Sequence, residues 1–79
     1  MTPTEIQIIH DYILEHQLLS VVESNTKANW RGAGSRATYY NAIKKGSDGR
    51  PLTLVEGLMM LEAQQAMRLH NAKRLEAAA

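Results

Sequence analysis

The chain has 79 residues, a net charge of +1, 44% hydrophobic and 22% charged residues, and no cysteine. This length is that of one small domain, and the composition excludes a disordered, collagenous or membrane-spanning chain. The missing cysteines exclude a disulfide framework, a thiolate zinc site, an iron–sulfur cluster and a cysteine nucleophile.

The first predicted helix begins after Thr2. The letters T-P-T-E place a hydroxyl at the N-cap, Pro3 at the first helical position and Glu5 where it completes a capping box. Apolar residues then recur at near-helical spacing as far as Val22. This pattern predicts one helix over residues 3 to 23. The polar residues 24 to 26 either end that helix or cap a short second one.

The next predicted features are a turn and a short helix. The string WRGAGS, residues 30 to 35, carries two glycines and predicts a tight turn. Ser35 is a good N-cap for a helix of about ten residues, which is expected to end at Gly46 with Lys44 and Lys45 in its last turn. The glycines and the proline of residues 46 to 51 predict a loop after it.

A second capping box, formed by Thr53 and Glu56, begins the last predicted helix, which runs from about residue 54 into the low seventies. The residues beyond it are expected to fray. No strand-like alternation appears, so the sequence predicts a small all-α helical bundle in which residues 1 to 79 form a single domain. One small neighbouring helix cannot cover all four leucines of the last helix, so this helix is the expected homodimer surface. The four are Leu54, Leu58, Leu61 and Leu69.

Few side chains are placed for catalysis or for metal binding. His10, His16 and His70 lack the spacing of three or four residues that puts two ligands on one helical face. Asp11 and Glu15 lie one turn apart, a spacing more typical of the solvent-facing side of an amphipathic helix than of an acid/base pair. We expect no enzyme activity, no cofactor and no metal.

Basic residues are concentrated in the middle of the chain. Residues 1 to 26 hold four acids and no Lys or Arg, whereas residues 27 to 50 hold six bases against Asp48 alone. Such a block is expected where a surface meets phosphate, and a solvated basic loop gives the same composition. The six bases are Lys27, Arg31, Arg36, Lys44, Lys45 and Arg50.

The short helix after Ser35 combines aromatic and hydrogen-bonding side chains. Helical spacing puts Tyr39, Ala42 and Ile43 on one face, which is expected to pack inward. Arg and Asn suit bidentate hydrogen bonds to guanine and adenine edges, and the major groove admits a helix of this size. The remaining positions carry Arg36, Tyr40, Asn41, Lys44 and Lys45.

The string SRATYYNAIKKG, residues 35 to 46, resembles the recognition helix of the helix-turn-helix family of bacterial and phage DNA-binding regulators. The resemblance implies a sequence-specific protein that binds double-stranded DNA, a transcriptional regulator of phage or plasmid type. One short helix gives modest affinity, so we expect a homodimer that reads paired half-sites. The resemblance implies that the residues facing the DNA groove are Ser35, Arg36, Ala37, Tyr40, Asn41 and Lys44. The basic block adds Lys27, Arg31, Lys45 and Arg50 to the predicted DNA-binding set.

Two other functions remain open. A small helical interaction protein, such as a phage-encoded inhibitor, would use the basic block to meet an acidic protein. RNA or single-strand binding would rest on Tyr39, Tyr40 and Trp30 stacking on bases. A lone tryptophan most often anchors a core, which is the first expectation for Trp30, and an exposed ring that stacks on a base or a partner is the alternative. The N-terminal segment lacks the positive charge of a secretory signal, and no stretch approaches the roughly 18 apolar residues of a membrane span, so we expect a cytoplasmic protein.

Overall fold

Four helices make up the part of the chain that the computed structural model describes, residues 1–31 and 34–78. They are α1 (Pro3–Glu15), α2 (Leu19–Asn29), α3 (Arg36–Ser47) and α4 (Leu54–Ala78). No strand occurs within these two ranges, which confirms the predicted all-α class. Within the same residues, no helix combines the length and the apolar character needed to cross a membrane.

Two of the helices begin with the predicted capping boxes. At α1 the Glu5 amide donates to the Thr2 hydroxyl (3.1 Å) and the Thr2 amide donates to the Glu5 carboxylate (3.2 Å). The same reciprocal pair joins Thr53 and Glu56 at the start of α4, with distances of 2.8 and 3.2 Å. These hydrogen bonds confirm both boxes. The boxes were predictable because each needs only two residues three positions apart in the chain.

The first helix ends early, so the predicted single helix over residues 3 to 23 is wrong. Gln17 has a φ of 55°, and the Leu18 amide donates to the Ile13 carbonyl (2.9 Å), as in a Schellman motif. Val22 lies nine residues after Ile13 and would point to the opposite side of a continuous helix, which turns by about 100° per residue. The break lets Ile13 and Val22 both be fully buried.

The polar residues 24 to 26 lie inside α2, so they neither end the first helix nor cap the second. Thr26 is fully buried, and its hydroxyl donates to the Val22 carbonyl (2.7 Å). This bond satisfies a buried hydroxyl within the helix itself. The sequence pattern left the role of these residues open because the side chains that favour a helix end also find partners in the preceding turn.

The core lies between α4 and the three other helices, all of which α4 contacts. The leucines of α4 lie mostly on its outward side: Leu54, Leu61 and Leu69 are 79%, 55% and 53% exposed. The helix extends to Ala78, beyond its predicted end in the low seventies. The core consists of Ile6, Ile9, Ile13, Leu19, Val22, Tyr39, Ala42, Ile43, Met59, Met60, Ala63 and Ala66.

Gly49, and not Gly46, follows the end of α3. Gly49 has a φ of 73°, and its amide donates to the Gly46 carbonyl (3.1 Å), which are the features expected of a glycine just past a helix. Gly46 instead lies buried inside the last turn of α3. A Cβ at this position would overlap Ile6 Cδ1 of α1. The predicted helix end at Gly46 is therefore wrong, and this glycine serves the close approach of two helices.

Candidate nucleic-acid interface

α3 turns one face to the core and the opposite face to solvent. Ser35 caps its N-terminus, as predicted, by accepting a hydrogen bond from the Thr38 amide (3.3 Å). Tyr39, Ala42 and Ile43 are buried, which confirms the predicted inner face. The exposed outer face carries Arg36, Ala37, Tyr40, Asn41 and Lys44.

Tyr39 anchors α3 to α1. It is fully buried, and its hydroxyl lies 2.8 Å from Nδ1 of His10. Burial raises the pKa of Tyr39 and lowers the pKa of His10, so both side chains are uncharged near neutral pH. A buried ring cannot stack on a base, which removes Tyr39 from the residues expected to bind single strands. Tyr40 and Trp30, 48% and 42% exposed, remain accessible.

Arg36, the first residue of α3, is tied to α2. Its Nε lies 3.2 Å from the Glu23 carboxylate, and its terminal nitrogen donates to the Ser20 hydroxyl (2.8 Å). Glu23 also pairs with Lys27 (3.4 Å). The side chains of Arg36 and Lys27 are 54% and 50% exposed and that of Glu23 is 24% exposed, so the two cations stay accessible to solvent while they share one carboxylate.

Lys45 links α3 to the beginning of α4. Its ammonium lies 3.0 Å from both carboxylate oxygens of Glu56, a residue that is only 4% exposed. A hydrogen bond from the Thr53 amide, reinforced by Lys45, lowers the pKa of Glu56. The ammonium of Lys45 therefore has a partner within the fold. Its neighbour Lys44 is exposed and has no carboxylate partner among the residues described.

The two remaining basic residues, Arg50 and Arg31, also differ in whether a carboxylate pairs with them. Arg50 lies 3.5 Å from Asp48 in an exposed pair. Arg31 is exposed, has a φ of 56°, and pairs with no carboxylate within residues 1–31 and 34–78. Lys44 and Arg31 are thus the predicted phosphate contacts whose charge the described fold leaves uncompensated.

Sequence reasoning missed two carboxylates that lie outside the basic block and reduce its charge, Glu23 and Glu56. One signal for Glu23 was present, because it stands four residues before Lys27, the spacing of an ion pair on a helix. The contacts of Arg36 with Glu23 and of Lys45 with Glu56 join different helices. Such pairs carry no local signal in the sequence.

Six residues, 30–35, separate the end of α2 from the start of α3. The sequence predicts a tight turn there, and two of its residues, Gly32 and Ala33, lie outside the described residues. A helix-turn-helix motif joins its two helices by about three or four residues, so this connection is longer than the family's. Gly34 has a φ of 90°, and a Cβ there would lie 2.7 Å from Thr26 Cγ2. The chain therefore needs a glycine where it turns back towards α3.

Trp30 lies at the end of α2, half-exposed and outside the core. Its indole nitrogen donates to the Glu62 carboxylate (3.2 Å), and the Asn29 amide donates to the same oxygen (3.0 Å). Glu62 of α4 thereby holds the C-terminal end of α2. The expectation that Trp30 anchors the core is therefore wrong, and the alternative of an accessible ring describes this residue.

A separate cluster of rings joins α1 to α4. The Tyr12 hydroxyl lies 2.7 Å from His70 Nδ1, the rings of His16 and His70 are 4.7 Å apart, and Arg74 lies 3.3 Å from His16 Nε2. Burial, then the nearby charges of His16, Arg74 and Lys73, lower the pKa of His70. A search of the described residues finds no group of three or more His, Cys, Asp or Glu that could hold a metal ion.

Two concave regions adjoin these elements. A shallow pocket of about 270 Å³ lies where Arg36 and Tyr40 meet the connection between α1 and α2. A larger groove of about 550 Å³ lies between the N-terminus, the end of α3 and the first turns of α4. Its lining is mainly apolar and includes Met1, Leu52, Leu54, Gly57, Leu58 and Leu61.

No protein-family model, curated protein or solved structure matches the chain. The outer face of α3 is the candidate site because it combines exposed hydrogen-bonding and basic groups with a backbone that the buried Tyr39 holds in place.

Proposed function

We propose that this chain is a small sequence-specific DNA-binding protein, a cytoplasmic transcriptional regulator that places α3 in the major groove of duplex DNA. The observation that supports the proposal is the division of α3 into a core face anchored by Tyr39 and an exposed face that carries Asn41 and Lys44. A helix fixed on one side presents its polar side chains in a constant orientation, as base reading requires. The proposal involves no catalysis and no cofactor.

The outer face offers groups for both kinds of DNA contact. Asn41 and Arg36 have the geometry for bidentate hydrogen bonds to adenine and guanine. Lys44 and Arg31 suit phosphate oxygens, since both are exposed and lack carboxylate partners in the part of the chain that is described. Ser35 stands at the N-terminus of α3, where backbone amides favour an approaching phosphate.

The other members of the predicted set have lesser roles in this proposal. Ala37 can contact a thymine methyl group, and Tyr40 can reach the sugar–phosphate backbone. Each of the other three bases must leave a carboxylate before it contacts phosphate. They are Lys27, Lys45 and Arg50.

The proposal includes a homodimer formed through α4. One helix of this size makes few base contacts, and two copies that bind paired half-sites combine the free energy of both sets. The outward side of α4 is free to form such a contact, because Leu54, Leu61 and Leu69 are more than half exposed.

Selection of binding sites from random DNA duplexes tests the proposal. We expect the protein to enrich one sequence. A plot of the logarithm of its affinity against the logarithm of the salt concentration should have a slope of about −0.9 for each phosphate neutralised. Lys44→Ala should lower that slope, whereas Lys73→Ala, which removes a base near the end of α4, should leave it unchanged. Absence of enrichment together with absence of duplex affinity at low salt would contradict the proposal.

A protein-interaction module is the second candidate function, and the apolar groove beside α4 favours it. Such a protein would show little affinity for any duplex at low salt. Binding of single strands or RNA would depend on the accessible rings of Tyr40 and Trp30. It would appear in the same experiment as preferential competition by single strands.

A further inference from the structure

The outward side of α4 carries a regular seam. Its residues recur in alternating steps of four and three, the repeat by which two helices pair along a coiled-coil interface. Leu54, Leu61 and Leu75 of the seam are 79%, 55% and 65% exposed, because the opposite face of α4 packs into the core. The seam consists of Leu54, Leu58, Leu61, Gln65, Arg68, Ala72 and Leu75.

Gly57 lies beside the seam at the edge of the apolar groove. A Cβ added to it would meet no atom within 4 Å, so no neighbour within the described fold requires a glycine here. Its φ is not in the left-handed region either. Glycine is a poor residue inside a helix, and its presence leaves room in the groove for a side chain from another molecule.

Arg68 determines how a second helix can pair with the seam. In a parallel pair related by a two-fold axis, each seam residue faces its own copy, so two Arg68 side chains would meet. Like charges in contact are destabilising. In an antiparallel pair centred on Gln65, Arg68 lies level with Glu62 of the second copy, a carboxylate that Asn29 and Trp30 already contact through one of its oxygens. The two Gln65 amides can donate to and accept from each other.

We propose that a second copy of this chain covers the seam, with the two α4 helices antiparallel about a two-fold axis at Gln65. In this register Leu61 lies opposite Leu69 of the second copy, and Leu75 of the second copy enters the groove over Gly57. The contact follows a helix of 25 residues, about 37 Å long. An ordinary specific interface buries roughly 800 Å² per partner, and the seam runs along nearly the whole of this helix.

The inference rests on the homodimer in the proposed function and is independent of its DNA-binding part. It is therefore tested on the full chain without DNA. Sedimentation should show a dimer for the parent protein. A dimer that selects no DNA site would contradict only the DNA-binding part of the proposed function, whereas a monomer that selects a site would overturn this inference and the proposed homodimer and leave the DNA-binding part standing.

Disulfide formation tests the antiparallel register, and the absence of native cysteine makes single-cysteine variants unambiguous. Gln65→Cys should cross-link to its own copy, because the axis brings the two positions within the roughly 4.4–6.8 Å that a disulfide spans. Ala72→Cys should not cross-link to itself, since its copies would lie about 21 Å apart along the helices. It should do so when mixed with Leu58→Cys. Efficient self-cross-linking of Ala72→Cys would indicate a parallel pair and overturn the inference.

Two substitutions at Gly57 test occupation of the groove. Gly57→Gln fills the groove with a side chain that the monomer can accommodate, so it should raise the dimer dissociation constant by about tenfold or more. Gly57→Ala is the smaller control and should change that constant less. Circular dichroism should show both variants helical. An unchanged dissociation constant for folded Gly57→Gln would overturn the proposal that Leu75 of a second copy fills the groove.

Discussion

Ile6 lies directly over the Cα of Gly46, so that α1 and α3 meet where one of them lacks a side chain. A methyl group at position 46 would overlap the Ile6 side chain, and relief of such overpacking typically costs about 1–3 kcal/mol. We expect Gly46→Ala to lower the free energy of unfolding by this amount. Urea denaturation followed by circular dichroism measures the change.

Gly57→Ala is the matched control for this substitution, because both glycines lie inside helices. A Cβ at Gly57 meets no neighbour within 4 Å, so alanine should stabilise the helix by about 1 kcal/mol through propensity alone. The free energy of unfolding should be measured in dilute protein, where the association of two copies does not contribute to it. Equal effects of the two substitutions would show that the contact with Ile6 does not restrict position 46.

Lys44 and Lys45 are adjacent in sequence and differ in their surroundings. We therefore expect Lys44→Ala to affect DNA binding and Lys45→Ala to affect stability. Lys44→Ala should reduce the salt slope of duplex binding by about 0.9 for each subunit bound, or about 1.8 for the dimer, and leave stability unchanged. Lys45→Ala should instead lower the denaturation midpoint, because the nearly buried Glu56 carboxylate loses its cation. A salt slope reduced equally by both substitutions would assign Lys45 to phosphate as well.

Asn41 and Arg36 should affect sequence discrimination more than general affinity. Asn41→Ala should reduce the preference for the selected site over scrambled DNA by about 1–3 kcal/mol, the usual worth of a bidentate base contact. Arg36→Ala should do the same and change stability by less than about 1 kcal/mol, since the Arg36 side chain is 54% exposed and Glu23 keeps its pair with Lys27. Titrations on both duplexes measure the difference.

Glu23→Gln provides the control for Arg36. It frees the Arg36 guanidinium from its carboxylate partner and should raise affinity for every duplex. Equal losses on selected and scrambled DNA for both alanine variants would reject base reading by α3.

Stability should decline below pH 6.5 because of the cluster that contains His70. The pKa of His70 lies below its ordinary value of 6.5, mainly through burial and then through His16, Arg74 and Lys73. Well above pH 6.5 the side chain is neutral in both states, and as the pH falls through 6.5 the unfolded chain binds the proton first, which favours unfolding. Denaturation at about pH 7.5 and about pH 5.5 should show this loss. His70→Gln should reduce it, and an unaltered pH dependence in that variant would contradict the assignment.

Local sequence signals were sufficient for the helix starts and for the inner face of α3. Thr2, Ser35 and Thr53 each cap a helix through a residue three positions away, so the chemistry of a few adjacent residues determines the result. Burial of Tyr39 and its inward-facing neighbours follows from helical periodicity, which is equally local. The outer face of α3 was predictable for the same reason.

The tertiary structure alone decided where the first helix ends and which glycine follows α3. The break at Gln17 satisfies a packing demand, since Ile13 and Val22 cannot both reach the core on a continuous helix. Gly46 and Gly49 look alike as helix terminators, and only the contact with Ile6 distinguishes them.

The sequence pattern also left open which bases have a carboxylate partner and which face of α4 is buried. The sequence showed six bases in a block and an apolar last helix, but a charge is compensated by whatever lies near it in space. Lys45 meets Glu56 across two helices, and α4 turns methionine and alanine inward while Leu61 faces solvent. Both outcomes depend on the arrangement of the helices, because packing selects one face of a helix that is apolar on two sides.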